Sequence, residues 1–146
     1  MSEAPFEWVR PDEKLPEHLR RGVVAIGNFD GVHLGHRGVL DEALRQAESL
    51  GAPALVLTFE PHPRTFFRPQ APLFRLTPPA EKARLLRQLG FAAMVEKRFD
   101  EQFSMMPASS FVYRLLGQEL RARHAVAGFD FHFGKDRFGT PQFLKD

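Results

Sequence analysis

With 146 residues, 43% of them hydrophobic and 12% aromatic, the chain has the length of about one domain and enough apolar surface for a core, which excludes a disordered tail or a fibre. No run approaches the ~18 apolar residues of a membrane span, the start MSEAPFEWVRPDEK carries no apolar stretch ahead of a cleavage site, and Cys 0 removes disulfides, thiolate chemistry and Cys-based zinc sites. With Lys+Arg 20 against Asp+Glu 18, no polyanion binder is implied, so the expectation is a soluble cytoplasmic chain with neither a nucleic-acid nor a membrane partner.

In chain order, residues 1–21 read as a loosely structured lead-in. VVAIG (23–27) is a short apolar run of strand length, followed by a helical stripe in which Leu40, Ala43, Leu44 and Ala47 recur at i, i+3, i+4, i+7. Gly51 stands where that helix needs a left-handed terminal residue. PALVLTF (53–59) is a second strand, and Thr77-Pro78 marks the start of a second helix, with Leu85, Leu86 and Leu89 on its apolar face and Gly90 at its end. FAAMVEK (91–97) predicts a third strand, the stripe Phe111, Val112, Leu115, Leu116, Leu120 a third helix, and HAVAGFDF (124–131) a fourth strand. Residues 134–146 read as a loop with no element to follow.

The order β–α–β–α–β–α–β, with strand starts about 30–38 residues apart, predicts right-handed crossovers and an α/β, Rossmann-like parallel sheet with helices on both faces. Ligands of such sheets bind beyond the carboxyl ends of the strands, so the residues that follow 27, 59, 97 and 131 are the candidates for a site. Between residues 61 and 98 lie eight basic residues (Arg64, Arg68, Arg75, Lys82, Arg84, Arg87, Lys97, Arg98) and the acids Glu81 and Glu96. This is either a positive surface for a small anion or a solvated helix face beside an arginine-rich loop.

The loop after the first strand reads Gly27-Asn28-Phe29-Asp30-Gly31-Val32-His33-Leu34-Gly35-His36. Glycines at 27, 31 and 35 let backbone pass close to a ligand, and the turn delivers a helix N-terminus with its free N–H groups to the same place. Two histidines three apart at that N-terminus add proton-bearing groups to a phosphate site. Neither a Walker loop nor a dinucleotide fingerprint is present, since both spacings are absent. Two other readings of the histidines stay open: helix cap and satisfied core residue, or metal ligation by His33, His36 and His62 or His132 with Asp30. The second strand end, Phe59-Glu60-Pro61-His62-Pro63-Arg64 and on to Phe66, Phe67 and Arg68, has two stiffening prolines, flat apolar surface and positive charge. The phenylalanines are either core and lid packing or apolar surface for a ligand.

His33-Leu34-Gly35-His36 resembles the HxGH signature of the nucleotidyltransferase superfamily. The longer string GNFDGVHLGH, with Leu57-Thr58-Phe59-Glu60-Pro61-His62-Pro63, Arg75-Leu76-Thr77 and Gly128-Phe129-Asp130-Phe131-His132-Phe133-Gly134, is more specific. These four blocks, in order from about residue 20 to the end, resemble the N-terminal FMN adenylyltransferase module of prokaryotic bifunctional FAD synthetases, which join riboflavin kinase to FMN adenylyltransferase.

The resemblance implies a nucleotidyltransferase-type fold and the transfer of an adenylyl group from ATP to FMN, giving FAD and pyrophosphate, with Mg²⁺ arriving on ATP. His33 and His36 would be catalytic; Gly27, Asn28, Phe29, Asp30, Gly31 and Gly35 would bind ATP; Pro61, His62, Pro63, Arg64, Phe67, Asp130, Phe131 and Phe133 would hold the flavin. His132 stands where the family frequently has arginine. The family's later Ser-Ser-Thr-x-x-Arg element is not found, and Ser109-Ser110 reads as a cap of the third helix instead. The expectation is therefore one adenylyltransferase domain over 1–146, C-terminally incomplete, with the riboflavin kinase domain absent here and present in cis in a full-length protein. The alternatives are a nucleotide- or flavin-binding fragment without turnover, and a histidine-ligated metallohydrolase. Fifteen phenylalanines against one Trp and one Tyr belong to the same picture: Phe29, Phe59, Phe66, Phe67, Phe131 and Phe133 fall at or just after strand ends, so part of the excess is expected to be ligand surface.

Overall fold

The structure is a computed structural model that describes residues 6–27, 34–60, 79–98, 100, 105–106 and 108–127. Its elements are β1 (Glu7–Val9), a 3₁₀ turn over Glu17–Leu19, β2 (Val23–Ile26), α1 (Leu34–Leu50), β3 (Ala54–Glu60), α2 (Pro79–Leu89), β4 (Ala93–Arg98), a helix α3 and β5 (His124–Ala127). Helix α3 starts as an α-helical turn over Ala108–Ser110 and continues as a π-helix over Phe111–Glu119.

The five strands form one parallel sheet in the order β1-β4-β3-β2-β5. All four residues of the interior strand β2 are buried, as is the central strand β3 from Ala54 to Phe59. This is why both read as unbroken apolar runs: a parallel strand between two helical layers has no solvent face to alternate with. The pleat divides the core in two. Val23, Ala25, Ala54, Val56 and Met94 pack with Leu40, Ala43 and Ala47 of α1 and Ala83 and Leu86 of α2. Val24, Ile26, Leu55, Leu57, Phe59 and Val95 pack with Phe111, Leu115, Leu116 and Leu120 of α3 on the other face. The chain runs β2-β3-β4 under α1 and α2, then reverses both direction and face through α3 to place β5 beside β2. Reversing the two together keeps the hand of a crossover the same.

The predicted helix ends are formed as the glycines require. Gly51 (φ 63) and Gly90 (φ 108) are left-handed, and the following residues close the helices. Ala52 N–H donates to Ala47 C=O (2.9 Å), and Phe91 N–H to Leu86 C=O (3.1 Å), the six-to-one bond of a Schellman motif.

Three expectations need correction. Part of the lead-in is ordered: β1 pairs in parallel with β4 (Trp8↔Met94), and Val9, Leu15 and Leu19 enter the α3 side of the core. The physical reason is that β4 would otherwise be an open edge, and a parallel neighbour with one buried face closes it. The third helix is largely π-wound; the Leu120 N–H reaches back five residues to Leu115 C=O (3.0 Å). Ser110 is not a cap, because its backbone is already helical (φ −68, ψ −37) and its side chain makes no capping hydrogen bond. Thr77 and Pro78 lie outside the described residues.

Candidate functional site

All strands being parallel, their carboxyl ends share one edge of the sheet. The strand order makes the break in direction fall between β2 and β5, whose last residues, Ile26 and Ala127, are register partners. A crevice at such a switch point is where open α/β sheets receive ligands. Three sequence blocks leave this edge from three adjacent strands. The glycine- and histidine-bearing loop follows β2, the proline- and phenylalanine-bearing segment follows β3 at Glu60, and the Gly128–Gly134 segment follows β5.

Gly27 is the first residue past β2. It is half-buried, and its N–H donates to the Leu57 carbonyl of β3 at 3.1 Å. The loop is thereby clamped at its origin to the neighbouring strand. Helix α1 begins at Leu34, so Gly35 and His36 occupy its first turn, and no acidic residue in that turn opposes the positive end of the helix dipole. Asn28, Phe29, Asp30, Gly31 and His33 lie outside the described residues, as do Pro61, His62, Pro63, Arg64, Phe67, Asp130, Phe131 and Phe133.

Phe59 is core. It is buried on the α3 side, its ring centroid 6.4 Å from that of Phe111 at an interplanar angle of 42°, a tilted pairing of the kind aromatic quadrupoles favour. Of the six strand-end phenylalanines, this one contributes packing and not ligand surface.

The basic residues between 61 and 98 divide in the same manner. Lys97 pairs with Glu119, Arg84 with Glu81, and Arg98 with Asp12 at 3.2 Å, while Arg87 is exposed on α2. The hydrogen bond from Arg84 is the main cause holding the exposed Glu81 carboxyl below its ordinary range. Among the described residues, then, Arg84, Arg87 and Arg98 belong to a solvated surface and Lys97 to a part-buried ion pair; Arg64, Arg68 and Arg75 lie outside them.

Lys82 is the exception and was counted only as a surface charge by the sequence. It is 1% exposed, in the first part of α2, and its Nζ donates to Oγ1 of Thr58, also 1% exposed, at 3.3 Å. The signal that could have found it is its place on the apolar stripe, four residues before Leu86 and seven before Leu89.

The family model of FAD synthetase matches residues 15–146. A bifunctional riboflavin kinase/FMN adenylyltransferase of Pseudomonas fluorescens is 42% identical over 131 residues, 89% of this chain and 41% of that protein. The protein of the same description from Bacillus subtilis (strain 168) is 37% identical over 138 residues, 93% of this chain and 43% of that one. The chain thus spans about two fifths of the length of these curated relatives. A crystal structure of a macrolide-efflux protein from Streptococcus pneumoniae aligns with a TM-score of 0.79 at 30% identity, over 94% of this chain and 46% of that one. Among the described residues no helix is long and apolar enough to cross a membrane, and what the two structures share is the α/β fold. The match over residues 15–146, together with relatives more than a third identical over most of the chain, makes this chain a member of the FAD synthetase family.

Proposed function

We propose that this chain carries out the adenylyl-transfer half of the chemistry named in its relatives, joining ATP and FMN to give FAD and pyrophosphate. A phosphate oxygen of FMN forms a bond to the α-phosphorus of ATP. The bond from that phosphorus to the bridging oxygen of the β-phosphate breaks, and the electron pair leaves on pyrophosphate. No covalent enzyme intermediate is needed, so the protein's tasks are to align two polyanions and to stabilise charge as it spreads over the phosphoryl oxygens.

The observation that carries this reading is the adjacency of β3, β2 and β5, whose carboxyl ends release the three blocks side by side at the switch point. In this reading Gly27, Asn28, Phe29, Asp30, Gly31 and Gly35 let the ATP phosphates approach backbone at the N-terminus of α1, and His33 and His36 donate to them as the leaving group develops. Pro61, His62, Pro63, Arg64 and Phe67 from the β3 side, and Asp130, Phe131 and Phe133 from the β5 side, hold the flavin between them. Mg²⁺ in this reading is carried in on ATP, since Mg²⁺ binds largely through substrate phosphates and water. FMN comes from the riboflavin kinase of the relatives' name, in cis.

The test is FAD formation by the purified chain from ATP and FMN, read by chromatography. Removing a donor that acts on the transition state costs about 10²–10³ in kcat. His33→Ala and His36→Ala should each lose activity on that scale while unfolding at the same denaturant concentration as the parent. Undiminished FAD synthesis by both variants refutes the assignment. Calorimetric binding of ATP and FMN without any product by the parent would instead identify a binding module.

A further inference from the structure

We infer that Lys82 is a positioning residue for adenylyl transfer, acting through Thr58 on the first residue of the phosphate loop; this rests on the function proposed above.

The case begins with cost. Burying a lysine amine withdraws it from water at an effective penalty of several kcal/mol, and a stripe that continues through Ala83 and Leu86 would accept methionine at position 82 with no such penalty. Its location then gives the cost a purpose. Nζ donates to Oγ1 of Thr58, and both residues are sealed from solvent. Thr58 stands one step beyond the Ile26↔Leu57 pair of β2 and β3, level with Gly27. The carbonyl that receives the Gly27 N–H is that of Leu57, so it belongs to the peptide group leading into Thr58.

A continuous path therefore runs from α2 to the Thr58 side chain, to the Leu57–Thr58 peptide, and to Gly27, where the phosphate loop departs. Thr58 also pairs in register with Glu96 of β4, whose Oε1 accepts the Trp8 indole N–H at 3.1 Å, so the same point is braced across the sheet. Fixing this origin matters because displacement of a binding group by about 1 Å can cost up to 10²-fold in rate.

The experiment uses the full chain with Lys82→Met, which keeps the apolar stem, Thr58→Val, which keeps the shape, and the double variant. FAD synthesis and urea unfolding are measured for each. Positioning through Thr58 predicts a kcat lower by about tenfold or more in both single variants, a double variant no slower than Lys82→Met, and losses that exceed any unfolded fraction read from the urea curves. Unchanged kcat in Thr58→Val, losses that multiply in the double variant, or losses that only follow the unfolded fraction overturn the inference. If the parent makes no FAD, the function proposed above fails by itself. The inference is then decided by calorimetry with ATP, where Lys82→Met must weaken binding about tenfold, and equal affinity overturns it.

Discussion

Gly22 immediately precedes β2, and its substitution tests how tightly the start of that interior strand is docked. A Cβ at this position would stand 2.5 Å from the Pro53 carbonyl oxygen and 3.2 Å from Pro53 Cγ. The contact is with backbone, so no side-chain rotation relieves it. That same oxygen accepts the Val23 N–H at 2.8 Å, and the Gly22 carbonyl accepts the Arg123 N–H at 2.9 Å, so moving either strand strains the ladder to β3 or the approach to β5. Overpacking of this kind costs about 1–3 kcal/mol, and weakening one hydrogen bond adds roughly 1 kcal/mol. The reduced freedom of the unfolded chain returns only ~0.4–1 kcal/mol. The net expectation for Gly22→Ala is a loss of about 2 kcal/mol. With a urea m-value of about 2 kcal/mol/M, the unfolding midpoint should fall by about 1 M with m unchanged. A midpoint equal to or above that of the parent would show that the β2–β3 junction is not packed as described.

The opposite sign is expected at Gly38, which lies exposed in α1 with nothing within 4 Å of an added Cβ. Gly38→Ala should stabilise by about 0.8–1 kcal/mol, and a lowered urea midpoint would contradict it. For pH dependence, the clearest group is Glu42. Hydrogen bonds from Arg45 (2.6 and 3.0 Å), then from Gln46 (3.0 Å), lower its carboxyl from the ordinary 4.5 to about 2. Because the folded value is the depressed one, the pair's contribution is complete above about pH 4.5 and is lost as pH falls toward 2. Both side chains are exposed, so solvent screening keeps its effect on stability small. Titration of the Glu42 carboxyl by NMR should move back toward 4.5 in Arg45→Ala, and an unmoved midpoint would remove Arg45 as the main cause.

How much of the fold could be read in advance follows from the range of the forces involved. The apolar runs at 23–27, 53–59 and 91–97 and the stripe Leu40, Ala43, Leu44, Ala47 are patterns fixed by which side chains share a face, and they coincide with β2, β3, β4 and α1 to within one or two residues at the strand ends. Gly51 and Gly90 announced helix ends because a left-handed residue is a local steric demand. The short β1 carries no comparable signal. Three residues are too few for a period, and Glu7–Val9 is a strand because β4 offers it a parallel ladder. Likewise, nothing local in Phe111–Glu119 distinguishes π winding from α winding.

The candidate site divides along the same line. The residue types proposed for it, glycines, histidines, prolines and an aromatic set placed after strands, are legible in the sequence by itself, because such residues act through their own covalent and electrostatic character. Only the tertiary structure decided that β3, β2 and β5 are neighbours, so that three blocks separated by dozens of residues leave one edge together. It alone also decided that Phe59 is core and moved Lys82 from surface charge to interior. The physical reason is that strand order and burial come from long-range apolar packing, in which a residue's environment is supplied by distant segments. A lysine on an apolar stripe and a phenylalanine at a strand end have no fixed role until those segments close around them.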